Sequence, residues 1–245
     1  MKTLNPQQYE DAVSRWDVCR TNLSEIDSLF KKRSVFNLHK NQIEAIKDRN
    51  NNDDFCVQIG IIEGNELIMI PVPLDESGHI ISLSAYPYSS FEPLQEDLCL
   101  TEKLTYTVVK KSVLSTSMKR TDSDSDVFLP IFNKPVLQQE NALEAIELWQ
   151  NNEFDWFFAE YKQSRGAGIF TKFYVPKEKI FVVQEGIMFV SVFGLKFSEI
   201  YQKQLPALIF ISAPDNLSNQ STLVDSNTFD FAKPCPPHGQ IFDLG

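Results

Sequence analysis

Cysteine, histidine and clustered carboxylates are the side chains here that could bind a metal or serve as nucleophile or base, and spacing decides which chemistry is open. Cys235 and His238 stand three residues apart in a C-P-P-H run. Tetrahedral zinc takes two further ligands, usually from a second close pair. No second pair occurs, and His39 and His79 are isolated, so the run is expected to be a proline-stiffened tail. Asp122, Asp124 and Asp126 alternate in KRTDSDSD as calcium-loop ligands do, but without the Gly at the sixth place and the Glu at the twelfth. A solvated loop is expected there. RGAGIF, from Arg165 to Phe170, lacks both the spacing and the lysine of a phosphate loop, and it serves equally as a helix stop. Nucleophilic catalysis needs a Cys or Ser beside a base; the chain has three His and no G-x-S-x-G. Its 33 acidic residues guarantee chance carboxylate pairs, so no dyad is assigned. The sequence therefore nominates no catalytic, cofactor-binding or metal-ligating residue.

Composition narrows the classes of partner. A formal net charge of −10 argues against broad nucleic-acid binding, which requires clustered Lys and Arg, and against an anionic membrane surface. The first residues, MKTLNPQQYEDAV, hold no apolar stretch of a signal peptide. No run reaches about 18 apolar residues, so a cytoplasmic protein is expected. The cysteines at 19, 56, 99 and 235 are widely spaced, and Cys56 sits in an apolar strand run. Reduced, buried thiols are expected rather than a disulfide framework. Nineteen Phe in 245 residues must fill cores or an interface between parts of the molecule.

The elements that would position these residues repeat. FNLHKNQIEAI, FCVQIGI and LIMIPVP, between Phe36 and Pro73, recur as FYVPKEKIFVV, FVSVFGL and LIFISAP between Phe173 and Pro214. Phe36, Lys40 and Ile43 match Phe173, Lys177 and Ile180 at an offset of 137; Phe55 and Gly60 match Phe189 and Gly194 at 134; Leu67, Ile68, Ile70 and Pro73 match Leu208, Ile209, Ile211 and Pro214 at 141. The offset changes only in polar, turn-like segments, where insertions are tolerated. Duplication of one unit accounts for this; two unrelated hairpins are the alternative.

Local signals supply the elements themselves. Asn5 as cap and Pro6 in the first turn start a helix whose Tyr9, Ala12, Val13, Trp16 and Cys19 or Arg20 share a face. Ala142, Ala145, Ile146 and Trp149 repeat that stripe, Trp149 lying 133 residues after Trp16. His39 to Lys47 is expected to be a helix. Phe55, Val57, Ile59 and Ile61 alternate as a strand does, and Glu63 to Glu66 turn it into the antiparallel return from Leu67 to Val72. Pro71 and Pro73 remove ladder donors, so the return should become an edge or leave the sheet there. In the second copy FSEIYQKQLPA replaces the turn, and a helical turn placing Ile200 and Tyr201 on the core is expected. Phe154, Trp156, Phe157, Phe158 and Tyr161 exceed what one helix face hides. Either one of them, Trp156 foremost, faces the other half or another subunit, or the group is buried within the second half.

A Trp-bearing helix, a Phe-led segment ending in Ile, an alternating hairpin and a V-x-x-D-x-x-G turn, here Val72, Asp75 and Gly78, resemble a group of small uncharacterised bacterial proteins. The Pro-Cys-Pro-Pro ending at Pro234 to Pro237 resembles theirs as well. The resemblance covers about a third of the chain and implies no activity.

The expected fold class is α+β, built of two related halves in a pseudo-twofold arrangement. Residues 1–133 form a first repeat with an irregular extension, and residues 134–245 a second with a Pro-rich tail. Each half packs helices on a small antiparallel sheet. The expected function is a non-catalytic, cytoplasmic protein-interaction protein, binding a partner or itself through an aromatic patch. The alternative is an enzyme or small-ligand-binding protein with its site in the cleft between the halves. A filled, apolar junction would favour the first; convergent Cys, His and carboxylate in a cleft would favour the second.

Overall fold

The computed structural model describes the chain apart from residues 31–32, 101–104, 110–112, 115–119, 122–126, 132–138, 183, 216–226, 231–232 and 237–245. A two-residue strand, β1 (Thr3–Leu4), leads into α1 (Pro6–Cys19). Asn5 caps this helix reciprocally: its side chain accepts from the Gln8 amide and the Gln8 side chain accepts from its own, each at 2.9 Å. Two of the helix's unpaired donors are thereby satisfied. Ala12, Trp16 and Cys19 are buried, on the stripe expected from sequence. Asn22 then caps α2 (Leu23–Leu29).

Next comes β2 (Ser34–His39), which runs directly into α3 (Lys40–Lys47), a helix burying Gln42, Ile43 and Ile46. The first hairpin follows as β3 (Asp54–Ile62) and β4 (Glu66–Val72). Its turn takes Gly64 and Asn65 through positive φ, 85° and 60°, the region open to Gly and tolerated by Asn. Short strands β5 (Tyr86–Pro87) and β6 (Ser89–Pro93) precede an extension that carries β7 (Thr105–Val109), β8 (Val113–Leu114), β9 (Arg120–Thr121) and β10 (Val127–Ile131). β7 pairs with β10 and β8 with β9, each antiparallel.

The 26-residue α4 (Gln139–Ser164) follows. After it come β11 (Lys172–Pro176), α5 (Lys177–Ile180), the long hairpin β12 (Ile187–Ser198) and β13 (Lys203–Pro214), and then β14 (Thr228–Asp230) and β15 (Lys233–Cys235). No helical turn forms between β12 and β13. Ser198 pairs with Lys203, so the extra residues lengthen both strands and leave Glu199 to Gln202 as the turn. Ile200 is 83% exposed there rather than on the core, because twelve ladder pairs carry the turn away from it.

The fold is α+β, its strands antiparallel. Nine of them form one sheet in the order β14-β13-β12-β2-β6-β4-β3-β11-β15. β15 also lies against β13, so the ribbon nearly closes into a barrel. One sheet thus stands where a small sheet per half was expected. β2 pairs with β12, as in Phe36–Ser191 and Leu38–Phe189, while β11 pairs with β3, as in Phe173–Val57 and Val175–Phe55. β6 pairs with β4 at Ile68 and Met69, and beyond them Pro71 and Val72 pair on the β3 side alone, so the strand becomes an edge at the proline.

The core is aromatic and draws on the whole chain. Phe30 lies 4.8–6.5 Å, centroid to centroid, from Trp16, Phe91, Trp149, Phe157, Phe170 and Phe193. These are tilted and edge-on geometries that aromatic pairs favour. A second, aliphatic cluster joins Ala142 and Ala145 of α4 to Val190, Val192, Ile209 and Ile211 of the long hairpin. Two glycines bring helices down onto strands. A Cβ on Gly60 would meet Ala12 Cβ and Ile70 Cδ1, both at 3.2 Å; one on Gly194 would meet Ala145 Cβ at 3.2 Å and Ile209 Cδ1 at 2.8 Å.

Candidate functional site

The residues nominated by type do not converge. Cys235 is buried in β15, opposite Lys172 of β11, and burial raises its thiol pKa while Lys172 pulls it down. His238, Asp122, Asp124 and Asp126 lie outside the described residues. His39 Nδ1 is 3.5 Å from Asp215, and His79 Nδ1 is 3.4 Å from Asp75 of its own turn. Among the described residues no three His, Cys, Asp or Glu side chains are grouped to hold a metal ion. Burial pushes the Cys56 thiol up to about 12 and the Cys19 thiol up to about 11; Cys99 is exposed. Neutral, buried thiols are poor nucleophiles.

RGAGIF is a docking loop. Arg20 Nη1 donates to the carbonyls of Gly166 at 2.8 Å and of Ala167 and Ile169 at 3.3 Å, and Trp16 Nε1 donates to Phe170 O at 2.8 Å. A Cβ on Gly166 would sit 2.2 Å from Arg20 O, so glycine is required there by close approach as well as by its φ of 92°. The Val72, Asp75, Gly78 segment is a turn, with Gly78 N donating to Asp75 O at 3.0 Å and Gly78 at φ 82°.

The aromatic group on α4 divides. Trp156 and Phe157 are buried, and Trp156 packs on Trp149, Phe157 and Phe170, all of the second half. Its Nε1 donates to Gln204 O at 3.0 Å. Phe154 and Phe158, one turn apart, are 46% and 40% exposed, and their rings stack at 6.5 Å. Lys162 Nζ lies 4.3 Å over the Phe158 ring. At the end of the long hairpin Phe197 is 57% exposed, beside Ile200 and Tyr201. The Trp156–Gln204 bond and the ion pair of buried Glu160 with Lys203 hold the base of that turn against the middle of α4.

A separate pocket of about 410 Å³ opens where β2 and β6 part. The two strands pair only from Ser34 to Phe36, after which β6 crosses to β4. Gln42 and Ser89, both buried, fill the gap. Gln42 Nε2 donates to Tyr88 O at 2.7 Å and to Ser89 Oγ at 3.0 Å, its Oε1 accepts from the His39 amide at 2.8 Å, and Ser89 Oγ donates to Asn37 O at 2.6 Å. Sequence reasoning passed over these residues. They come from segments about fifty positions apart, and the only local signal is a polar YSS run inside an otherwise apolar sheet.

The fold and its surfaces describe an antiparallel α+β protein with an aromatic core, an apolar hairpin tip and a polar pocket between β2, α3 and β6. No protein-family model, curated protein or solved structure matches the chain. No helix among the described residues is long and apolar enough to cross a membrane.

Proposed function

We propose that this chain is a duplicated α+β module folded as a pseudo-twofold pair, and that it works in the cytoplasm as a non-catalytic binding protein whose partner is another protein. Duplication is supported by reciprocity of register. Phe36 pairs with Ser191 and Phe173 with Val57; the 137 offset carries Phe36 to Phe173, and the 134 offset carries Val57 to Ser191. Each copy thus lends a strand to the other's hairpin, as an isologous dimer would. The same reciprocity extends to charge. Lys40 pairs with Glu185 just before β12, while Lys177 pairs with Asp53 and donates to Asn52 O just before β3. The two glycine contacts match as well, Gly60 with Ala12 and Ile70 against Gly194 with Ala145 and Ile209. They give the returning strand an offset of 139, two residues from the 141 of the sequence comparison. A shift of two keeps every side chain on its own face of the sheet.

The observation that carries the binding reading is the apolar turn of the second hairpin. Its counterpart in the first is Glu63, Gly64 and Asn65, whereas here Phe197, Ile200 and Tyr201 are 57%, 83% and 40% exposed. Exposed apolar groups gathered in this way mark interaction surfaces, and a net charge of −10 favours a basic partner. A catalytic cleft between the halves is disfavoured, because rings from both halves fill their junction. The test is affinity capture from an extract of the native host, using the intact protein and a Phe197→Ser, Ile200→Ser variant. The expected result is a partner held by the first and lost by the second at unchanged melting temperature. Identical captured sets from the two proteins would contradict it.

A further inference from the structure

The polar pocket between β2, α3 and β6 has features that the binding surface does not need. Three buried polar side chains, Gln42, Ser89 and Ser90, line it, and buried polar groups persist when they are hydrogen-bonded and useful. Gln42 and Ser89 are spent on one another and on backbone, which makes a rigid floor. Ser90 Oγ accepts from Lys2 Nζ at 2.9 Å, so its proton remains to be donated. Asn37 and Asn41, on the wall, each present a donor and an acceptor. Lys2 and Glu92 form a rim pair at 3.3 Å, so these two charges offset one another at the mouth, and His39 in the lining lies 3.5 Å from Asp215. Half-buried Tyr88 adds an aromatic wall.

A bare anion would meet Glu92 and a bare cation would meet Lys2. A neutral molecule whose every polar group both donates and accepts meets no such conflict, and its C–H faces can lie on the tyrosine. From this we infer a site for a small neutral polyhydroxylated ligand, a mono- or disaccharide, in a pocket of about 410 Å³. That volume lies within the range of small-molecule sites. The positions matched to Asn37 and His39 in the second half are Tyr174 and Pro176, so the module folds without these polar groups. That comparison leans on duplication; the pocket chemistry does not, and the site is independent of the apolar hairpin tip.

The test is saturation-transfer NMR on the full chain with glucose, N-acetylglucosamine, maltose and myo-inositol, and with inorganic phosphate and glycine as charged controls. Transfer from the protein to at least one polyhydroxylated compound is expected. Asn37→Ala with Asn41→Ala should weaken it about tenfold for the loss of two hydrogen bonds. Asn41→Ala alone, at an exposed wall position, gives a readout should the Asn37 change disturb the fold. No transfer to any of the four compounds, binding of phosphate or glycine in their place, or unchanged affinity in the Asn41→Ala protein overturns the assignment. A Phe197→Ser, Ile200→Ser protein should bind the sugar normally, which separates failure here from failure of the partner surface.

Discussion

At the scale of single residues, burial sets the chemistry. Cys56 is fully buried, and desolvation outweighs the pull of Lys172 to bring its thiol up to about 12; burial brings Cys19 up to about 11. A folded-state pKa above the unfolded value, near 9.0 for a thiol, gives stability that is complete below that value. The stability is lost as pH rises toward the folded pKa. Urea midpoints should therefore hold steady up to about pH 9 and fall between there and about 12. Cys56→Ala should flatten that fall, and an alkaline slope identical to that of the unaltered protein would contradict the burial account. Such thiols are legible in part from sequence: Cys56 in an apolar strand run announces burial, whereas nothing near Cys235 reveals that its strand lies between β11 and β13.

At the scale of elements, legibility follows how local the cause is. Asn5, Pro6 and Gln8 write their capping box within four residues, and the alternation from Phe55 to Ile61 needs only a pleated backbone. The turn of the second hairpin misleads, because the longer segment reads as a helical turn with Ile200 and Tyr201 on the core. Strand extension wins there by pairing Ser198 with Lys203 and Phe197 with Gln204, at the expense of exposing apolar side chains. Close packing of helix on strand is testable at Gly194, where a methyl would press on Ile209 at 2.8 Å and Ala145 at 3.2 Å. Gly194→Ala should destabilise by about 1–3 kcal/mol through overpacking. The entropy lost from the unfolded chain returns only about 0.4–1 kcal/mol. A variant at least as stable as the native protein in urea would show that α4 stands farther from β12 than this contact requires.

At the scale of the whole molecule, the matched segments of the sequence do not say where their strands would pair. The pairing of Phe36 with Ser191 and of Phe173 with Val57 joins segments more than a hundred residues apart, and both are apolar runs that pair equally well with several neighbours. The pocket floor escapes notice for the same reason, since Gln42 and Ser89 meet only after β6 has crossed from β2 to β4. On the proposed duplication, each half lends a strand to the other and is incomplete alone. The direct measurement is to insert a protease site between Lys119 and Asp126, cut the folded chain and chromatograph it without denaturant. The expected result is both fragments eluting together with their helical signal intact, parting only when denatured. Fragments that separate under native conditions, each keeping its own folded signal, would contradict a pair of modules built into one another's sheets.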